Sequence, residues 1–125
     1  MSGLTLDTGA LIAIERNDRE LMTLLKEARK ENLEILIPAG VLAQAWRDGR
    51  RQSRIARFLS APQIGIEVLD EFQAKRAGQL CGLTGTNDIV DASVVLCARD
   101  HKHRVVTSDT EDIARLDPNL DLIEV

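Results

Sequence analysis

The strongest constraint in this sequence is an alternation. Five short apolar runs of strand length, Leu4 to Leu6, Ile35 to Ile37, Ile64 to Leu69, Val105 to Val106 and Leu122 to Val125, are separated by stretches of helical period. The helical patterns cover Ala10 to Ile14, Glu20 to Arg29, Val41 to Trp46, Arg50 to Leu59, Glu71 to Leu83, Ile89 to Arg99 and Thr110 to Leu116. Strands that alternate with helices are joined by crossovers, which make strands parallel and place helices on the faces of the sheet. The class expected is α/β, with a mostly parallel five-stranded sheet and helices on both sides.

Local punctuation supports that order. Pro38 stops the second strand and opens a helix, where its fixed φ and missing donor cost little. Pro62 separates a helix from the third strand. In Thr84-Gly85-Thr86-Asn87, Gly85 is expected to end one helix and Thr86 or Asn87 to cap the next.

A chain of 125 residues fits one domain spanning residues 1 to 125. Its apolar content is aliphatic, with Phe58, Phe72 and Trp46 the aromatics, so an aliphatic core is expected. Cys81 and Cys97 lie in apolar helical patterns with neither a CxxC nor a Cys/His spacing and read as reduced core residues. The start, MSGLTLD, lacks the basic and apolar regions of a secretory signal, and no run reaches the roughly 18 apolar residues of a membrane span. A cytoplasmic protein is expected.

The net charge of -4 does not advertise a nucleic-acid binder, but the charges are unevenly placed. Arg47, Arg50, Arg51, Arg54 and Arg57 form a dense basic stretch. On a helix from Arg50, the side chains of Arg50, Arg54 and Arg57 would share one face and Ile55, Phe58 and Leu59 another. That stripe suits phosphates, and it equally suits a solvated amphipathic face.

Single carboxylates close two of the apolar runs. Asp7 ends the first strand and Asp109 follows the fourth. In an open parallel sheet ligands bind outside the carboxyl ends of strands where strand order reverses, so the two would converge if these strands are neighbours. Each would also serve as an N-cap. Asp91 stands out more, because it shares a helix face with Val94, Val95 and Ala98 in a segment apolar nearly all round. A carboxylate there needs a cation, a partner or hydrogen bonds, and proximity to the helix start is the competing explanation. Asp88 suits that helix-start role better. Asp112 lies three residues after Asp109, either in a capping box with it or facing the same site. A pocket of carboxylates without nearby His or Cys is a hard-oxygen environment, which favours Mg2+ or Mn2+ over zinc. Such ions activate water and clamp phosphodiester oxygens.

These residues resemble the PIN-domain family and, within it, the VapC-type ribonuclease toxins of toxin–antitoxin pairs. The resemblance is carried by Leu6-Asp7-Thr8-Gly9-Ala10-Leu11-Ile12, by Ile37-Pro38 through Trp46-Arg47, by Asp88-Ile89-Val90-Asp91-Ala92 and by Val106-Thr107-Ser108-Asp109. It implies a three-layer α/β/α fold with strand order 3-2-1-4-5, an acidic pocket for Mg2+ or Mn2+ and endonucleolytic cleavage of RNA. It also implies a homodimer and a cognate antitoxin protein covering the pocket. By position, Asp7, Asp91 and Asp109 match the family's catalytic, metal-binding acids, with Asp112 a frequent companion. Thr8, Thr107 and Ser108 match the hydroxyl residues that orient them, and Asp88 supports from the helix start. Arg47, Arg50, Arg54 and Arg57 are the expected RNA-binding residues.

One position departs from the pattern. Gln44 stands where the family commonly has glutamate, so the site is expected to bring one charge fewer, with Glu15 or Asp112 to compensate. A catalytically weak PIN-like module that binds RNA or protein is the alternative function. A phosphotransfer or receiver domain using Asp7 as nucleophile is disfavoured, because the chain has no Asp-x-Asp pair and no Walker glycine loop.

Overall fold

The computed structural model describes residues 3–125; Met1 and Ser2, the start of the segment read for a signal sequence and of the expected domain, lie outside the described residues. Five strands, β1 (Gly3–Leu6), β2 (Glu34–Pro38), β3 (Ile64–Glu67), β4 (Arg104–Thr107) and β5 (Leu122–Glu124), pair in the order β3-β2-β1-β4-β5. All four pairings are parallel. The helices are α1 (Thr8–Glu15), α2 (Arg19–Lys30), α3 (Ala39–Ala45), α4 (Ser53–Leu59), α5 (Glu71–Thr84), α6 (Ile89–His101) and α7 (Thr110–Leu116). The expected element order and class both hold.

The direction of travel assigns the layers. From β1 the chain steps to β2 and then β3 in one direction, so right-handed crossovers put α1 to α4 on one face. From β3 it returns past β1 to β4 and continues to β5, which puts α5 to α7 on the other. Packing agrees: α1 touches α2, α3 and α4, whereas α6 touches α5, α7 and the sheet through β1, β2 and β4. Strand alternation then sends Thr5 toward α6, where its hydroxyl meets Cys97 and His103, and Leu4 and Leu6 toward the α1 layer.

The core is aliphatic, as expected. Leu4, Leu6, Leu11, Ile35, Ile37 and Val105 are among its fully buried members, and both cysteines are buried and unpaired. Burial pushes the Cys97 thiol up to about 12, so it remains protonated at neutral pH. No single helix among the described residues is long and apolar enough to cross a membrane.

Three local expectations need correction. The helix expected from Arg50 begins at Ser53, because residues 48 to 52 form a turn in which the Arg51 and Gln52 N–H groups donate to the Asp48 carbonyl. Arg50 therefore precedes α4 and does not share a helix face with Arg54 and Arg57. The cap of α6 is Asp88, whose Oδ1 accepts from the Asp91 N–H at 3.0 Å, rather than Thr86 or Asn87. The Thr86 hydroxyl is engaged with that of Thr84 at 3.0 Å. Gly85 ends α5 as expected, in the left-handed conformation at φ 69° that glycine adopts without strain. Finally, β3 stops at Glu67, leaving Val68 and Leu69 exposed.

Candidate metal-binding site

Because β1 and β4 are adjacent and lead their chains to opposite sides, the crevice at their carboxyl ends is the switch point of the sheet. Asp7 follows β1 and caps α1, its Oδ1 accepting from the Ala10 N–H at 2.9 Å. Its Oδ2 accepts from the Thr107 hydroxyl at the end of β4. The expected cap and the expected site residue are thus one group. Gly9 permits this closeness, since a Cβ there would lie 1.8 Å from the Ser108 Oγ.

Asp109 caps α7 through the Asp112 N–H at 3.3 Å. The reciprocal half of a capping box is absent, because the Asp109 N–H donates instead to the Thr107 Oγ1 at 2.8 Å. That leaves the Asp112 carboxylate to face the crevice. Asp91, in the first turn of α6, comes from the other side, and Asp91, Asp109 and Asp112 each offer an oxygen within 4.8 Å of the others. Asp7 is outside this trio, with both oxygens engaged, but its charge reaches Asp91.

Electrostatics mark the same place. Burial, followed by the charges of Asp88, Asp109, Asp112 and Asp7, pushes the Asp91 carboxyl up to about 7. Burial also raises Asp7 against the lowering effect of Thr107 and of the Ala10 and Ser108 backbone. Hydrogen bonding and repulsion from Asp109 raise Asp112. Among the described residues the cation paired with the trio is Arg115, 3.5 Å from Asp112 and mostly exposed. Several carboxylates crowded together with little countercharge fit a hard dication that takes oxygen ligands. The crevice is open, lined by Thr86, Asn87, Asp88, Asp91, Asp112 and Arg115.

The family model for the PIN domain matches residues 4–118. The chain belongs to the PIN-domain family. Solved structures carry the same fold. The VapBC2 structure from Rickettsia felis bound to a promoter DNA fragment is 22% identical, with a TM-score of 0.73, over 98% of each chain. A toxin–antitoxin complex from Klebsiella pneumoniae is 19% identical with a TM-score of 0.70, covering 99% of this chain and 100% of that one. Mycobacterium tuberculosis VapC20, described as a sarcin-ricin loop cleaving toxin, is 14% identical with a TM-score of 0.66 over 98% of each chain. No curated protein matches by sequence.

In this PIN domain the remaining expected residues divide. Gln44 on α3 is exposed and its Oε1 accepts from the Thr8 hydroxyl at 2.6 Å, which joins it to the residue after Asp7. Glu15 does not join the acids: its carboxylate accepts from the Ile55 N–H at 3.3 Å, across the α1–α4 contact. Of the expected stripe only Arg54 and Arg57 share α4. Arg47 turns back onto the Ala43 and Trp46 carbonyls, Arg54 bonds the Glu15 carbonyl, and Arg50 pairs with Asp48 at 3.5 Å. The sequence reading missed a second grouping on the α6 side, where Glu34, His101 and His103 meet. Its signal was the spacing His101-x-His103, two imidazoles flanking a helix end.

Proposed function

We propose that this PIN domain is a metal-dependent endoribonuclease, acts in the cytoplasm and is the toxin half of a toxin–antitoxin pair. The observation that carries the reading is the meeting of Asp91, Asp109 and Asp112 within 4.8 Å beside the Asp7–Thr107 contact. Asp91, Asp109 and Asp112 would hold Mg2+ or Mn2+, with Asp7 completing the acidic surround. When bound, the ion supplies an activated water and neutralises charge developing on the phosphodiester. The chain's own groups do the positioning. Thr107 fixes Asp7 and the Asp109 backbone together, Asp88 fixes the Asp91 backbone, and Thr8 ties Gln44 to the residue after Asp7. Arg50 and Arg57 are exposed and are the cations of the basic stretch assigned to phosphate contacts, with Arg47 and Arg54 shaping the backbone around them.

The solved relatives include toxin–antitoxin assemblies, which supports a protein partner for this chain. The apolar face of Ala39, Leu42, Ala43, Trp46 and Leu59 is a surface of the kind that antitoxin or a second copy of the chain would cover. The whole chain, residues 1 to 125, is assigned to one domain.

Gln44 favours a second reading, a module that binds RNA without cutting it, since an amide adds no charge to the pocket. Incubating purified, tag-free protein with mixed RNA tests both. Cleavage that requires Mg2+ or Mn2+, stops in chelator and is lost in Asp109→Asn supports the nuclease. Retention of RNA in a filter-binding assay without cleavage under any divalent ion overturns it in favour of the module.

A further inference from the structure

At the opposite end of the sheet from the acidic crevice, three elements bring nitrogen and oxygen donors to one point. Glu34 is the first residue of β2, His101 the last of α6, and His103 directly precedes β4. The Glu34 Oε1 lies 3.1 Å from the His103 Nε2 and 3.6 Å from the His101 Nδ1. Four-coordinate zinc with bonds of about 2.0–2.1 Å sets its donors roughly 3.3 Å apart, which these two separations bracket. Gly3 lets these groups pack closely: a Cβ there would lie 2.1 Å from the Glu34 carbonyl oxygen and 2.8 Å from the His103 Nε2.

The far nitrogen of each ring carries a second, independent indication. A histidine that binds metal through one nitrogen commonly donates its other N–H to a carboxylate, carbonyl or similar acceptor, which fixes the ring. Here the His101 Nε2 faces the Glu67 Oε2 at 2.8 Å, and the His103 Nδ1 faces the Thr5 Oγ1 at 3.0 Å. With both far nitrogens donating, the His101 Nδ1 and His103 Nε2 lone pairs both point toward Glu34. Glu34, His101 and His103 then each offer one ligand atom, all within 4.8 Å of one another, to a cation between them. Glu34 is exposed, and a water would supply the fourth ligand.

We propose that Glu34, His101 and His103 form a binding site for a borderline divalent transition metal, Zn2+ foremost, separate from the oxygen-only pocket at Asp91, Asp109 and Asp112. Two imidazoles and a carboxylate match zinc, whereas Mg2+ favours oxygen alone. The ion would tie the start of β2 to the α6–β4 junction across the amino end of β1. Its effect is on stability, and the site stands or falls independently of ribonuclease activity.

The test uses the full chain, tag-free and stripped with chelator, titrated with Zn2+ against a chromophoric competitor, with Co2+ as spectroscopic probe. One Zn2+ per chain is expected, with the melting temperature raised by about 5 °C at saturating metal. Tetrahedral Co2+ absorption is expected without a sulfur charge-transfer band. Affinity should fall about tenfold or more in Glu34→Gln and in His101→Gln and hold in an Asp91→Asn/Asp109→Asn double variant. Glu34 is exposed, so its variant keeps the fold whatever His101→Gln does. The proposal is overturned by absence of binding, by loss of binding in the Asp double variant, by unchanged affinity in Glu34→Gln, or by a thiolate band, which would assign the ion to Cys97 with Glu67 and His101.

Discussion

The Thr107 hydroxyl donates to the Asp7 carboxylate across the β1–β4 pair and at the same time accepts the N–H of Asp109. One side chain therefore couples the acids that follow two neighbouring strands. Thr107→Val keeps the shape of the side chain but leaves the buried Asp7 short of a donor, at a cost of about 1–3 kcal/mol. Thermal melts should register that loss, and Mg2+-dependent cleavage should fall about 10- to 100-fold. Thr107→Ser restores both. Equal activity in the valine variant would show that the hydroxyl orients nothing the reaction uses.

Asp109→Asn and Asp7→Asn should each abolish cleavage while the protein stays folded. Asparagine caps helices as well as aspartate does, so α7 and α1 keep their first-turn bonds to the Asp112 and Ala10 N–H groups. What is lost is charge. Circular dichroism and a fluorescent RNA assay separate the two effects, and an active Asp109→Asn enzyme would remove that residue from the metal site.

Asp91 makes stability depend on pH in a defined direction. In the fold its carboxyl titrates near 7, whereas in the unfolded chain it titrates near the ordinary 3.8. Between those values the folded state binds more protons, so its contribution is complete below about pH 4 and is lost as pH rises through 7. In metal-free buffer Asp91→Asn should therefore match wild type near pH 4 and exceed it above pH 7 by about 1–2 kcal/mol, after solvent screening of a partly exposed group. Saturating Mg2+ should reverse the order at pH 8. Melting curves that are parallel at all pH values would mean that the carboxylates do not repel one another as their spacing implies.

Gln44→Glu places a charge beside Thr8, the residue after Asp7. With an ion in the pocket, Mg2+ affinity should rise severalfold and cleavage hold or improve; without one, the added repulsion should lower the melting temperature. Mg2+ titration of wild type and variant side by side reads both. Unchanged metal affinity in an active enzyme would mean that position 44 does not sense the ion.

What the sequence by itself determined was everything set by local periodicity. Apolar runs of strand length between helical stretches dictate a parallel α/β sheet, because any other pairing would leave the intervening helices without a face to cover. Asp7 and Asp109 were legible for a related reason: Asp7 directly follows an apolar strand and Asp109 lies two residues past another, and each caps the following helix. Asp91 was legible as a carboxylate ahead of the apolar run Val94-Val95-Leu96-Cys97-Ala98 of its helix.

Tertiary structure decided the rest. The start of α4 was displaced because Gln52 spends its side chain on the Arg47 and Asp48 N–H groups and the Ala45 carbonyl, closing a turn that helical periodicity cannot foresee. That turn took Arg50 out of the arginine stripe and left Arg54 and Arg57 on α4. The choice between a capping box and a site at Asp109 and Asp112 was made by Thr107, which takes the Asp109 N–H and frees the Asp112 carboxylate. The meeting of Asp91 with Asp109 and Asp112, and of Glu34 with His101 and His103, depends on strand order and on how α6 and α7 lie against the sheet. Such contacts join residues far apart along the chain, and their geometry is set by the packing of whole elements rather than by the residues adjacent in sequence.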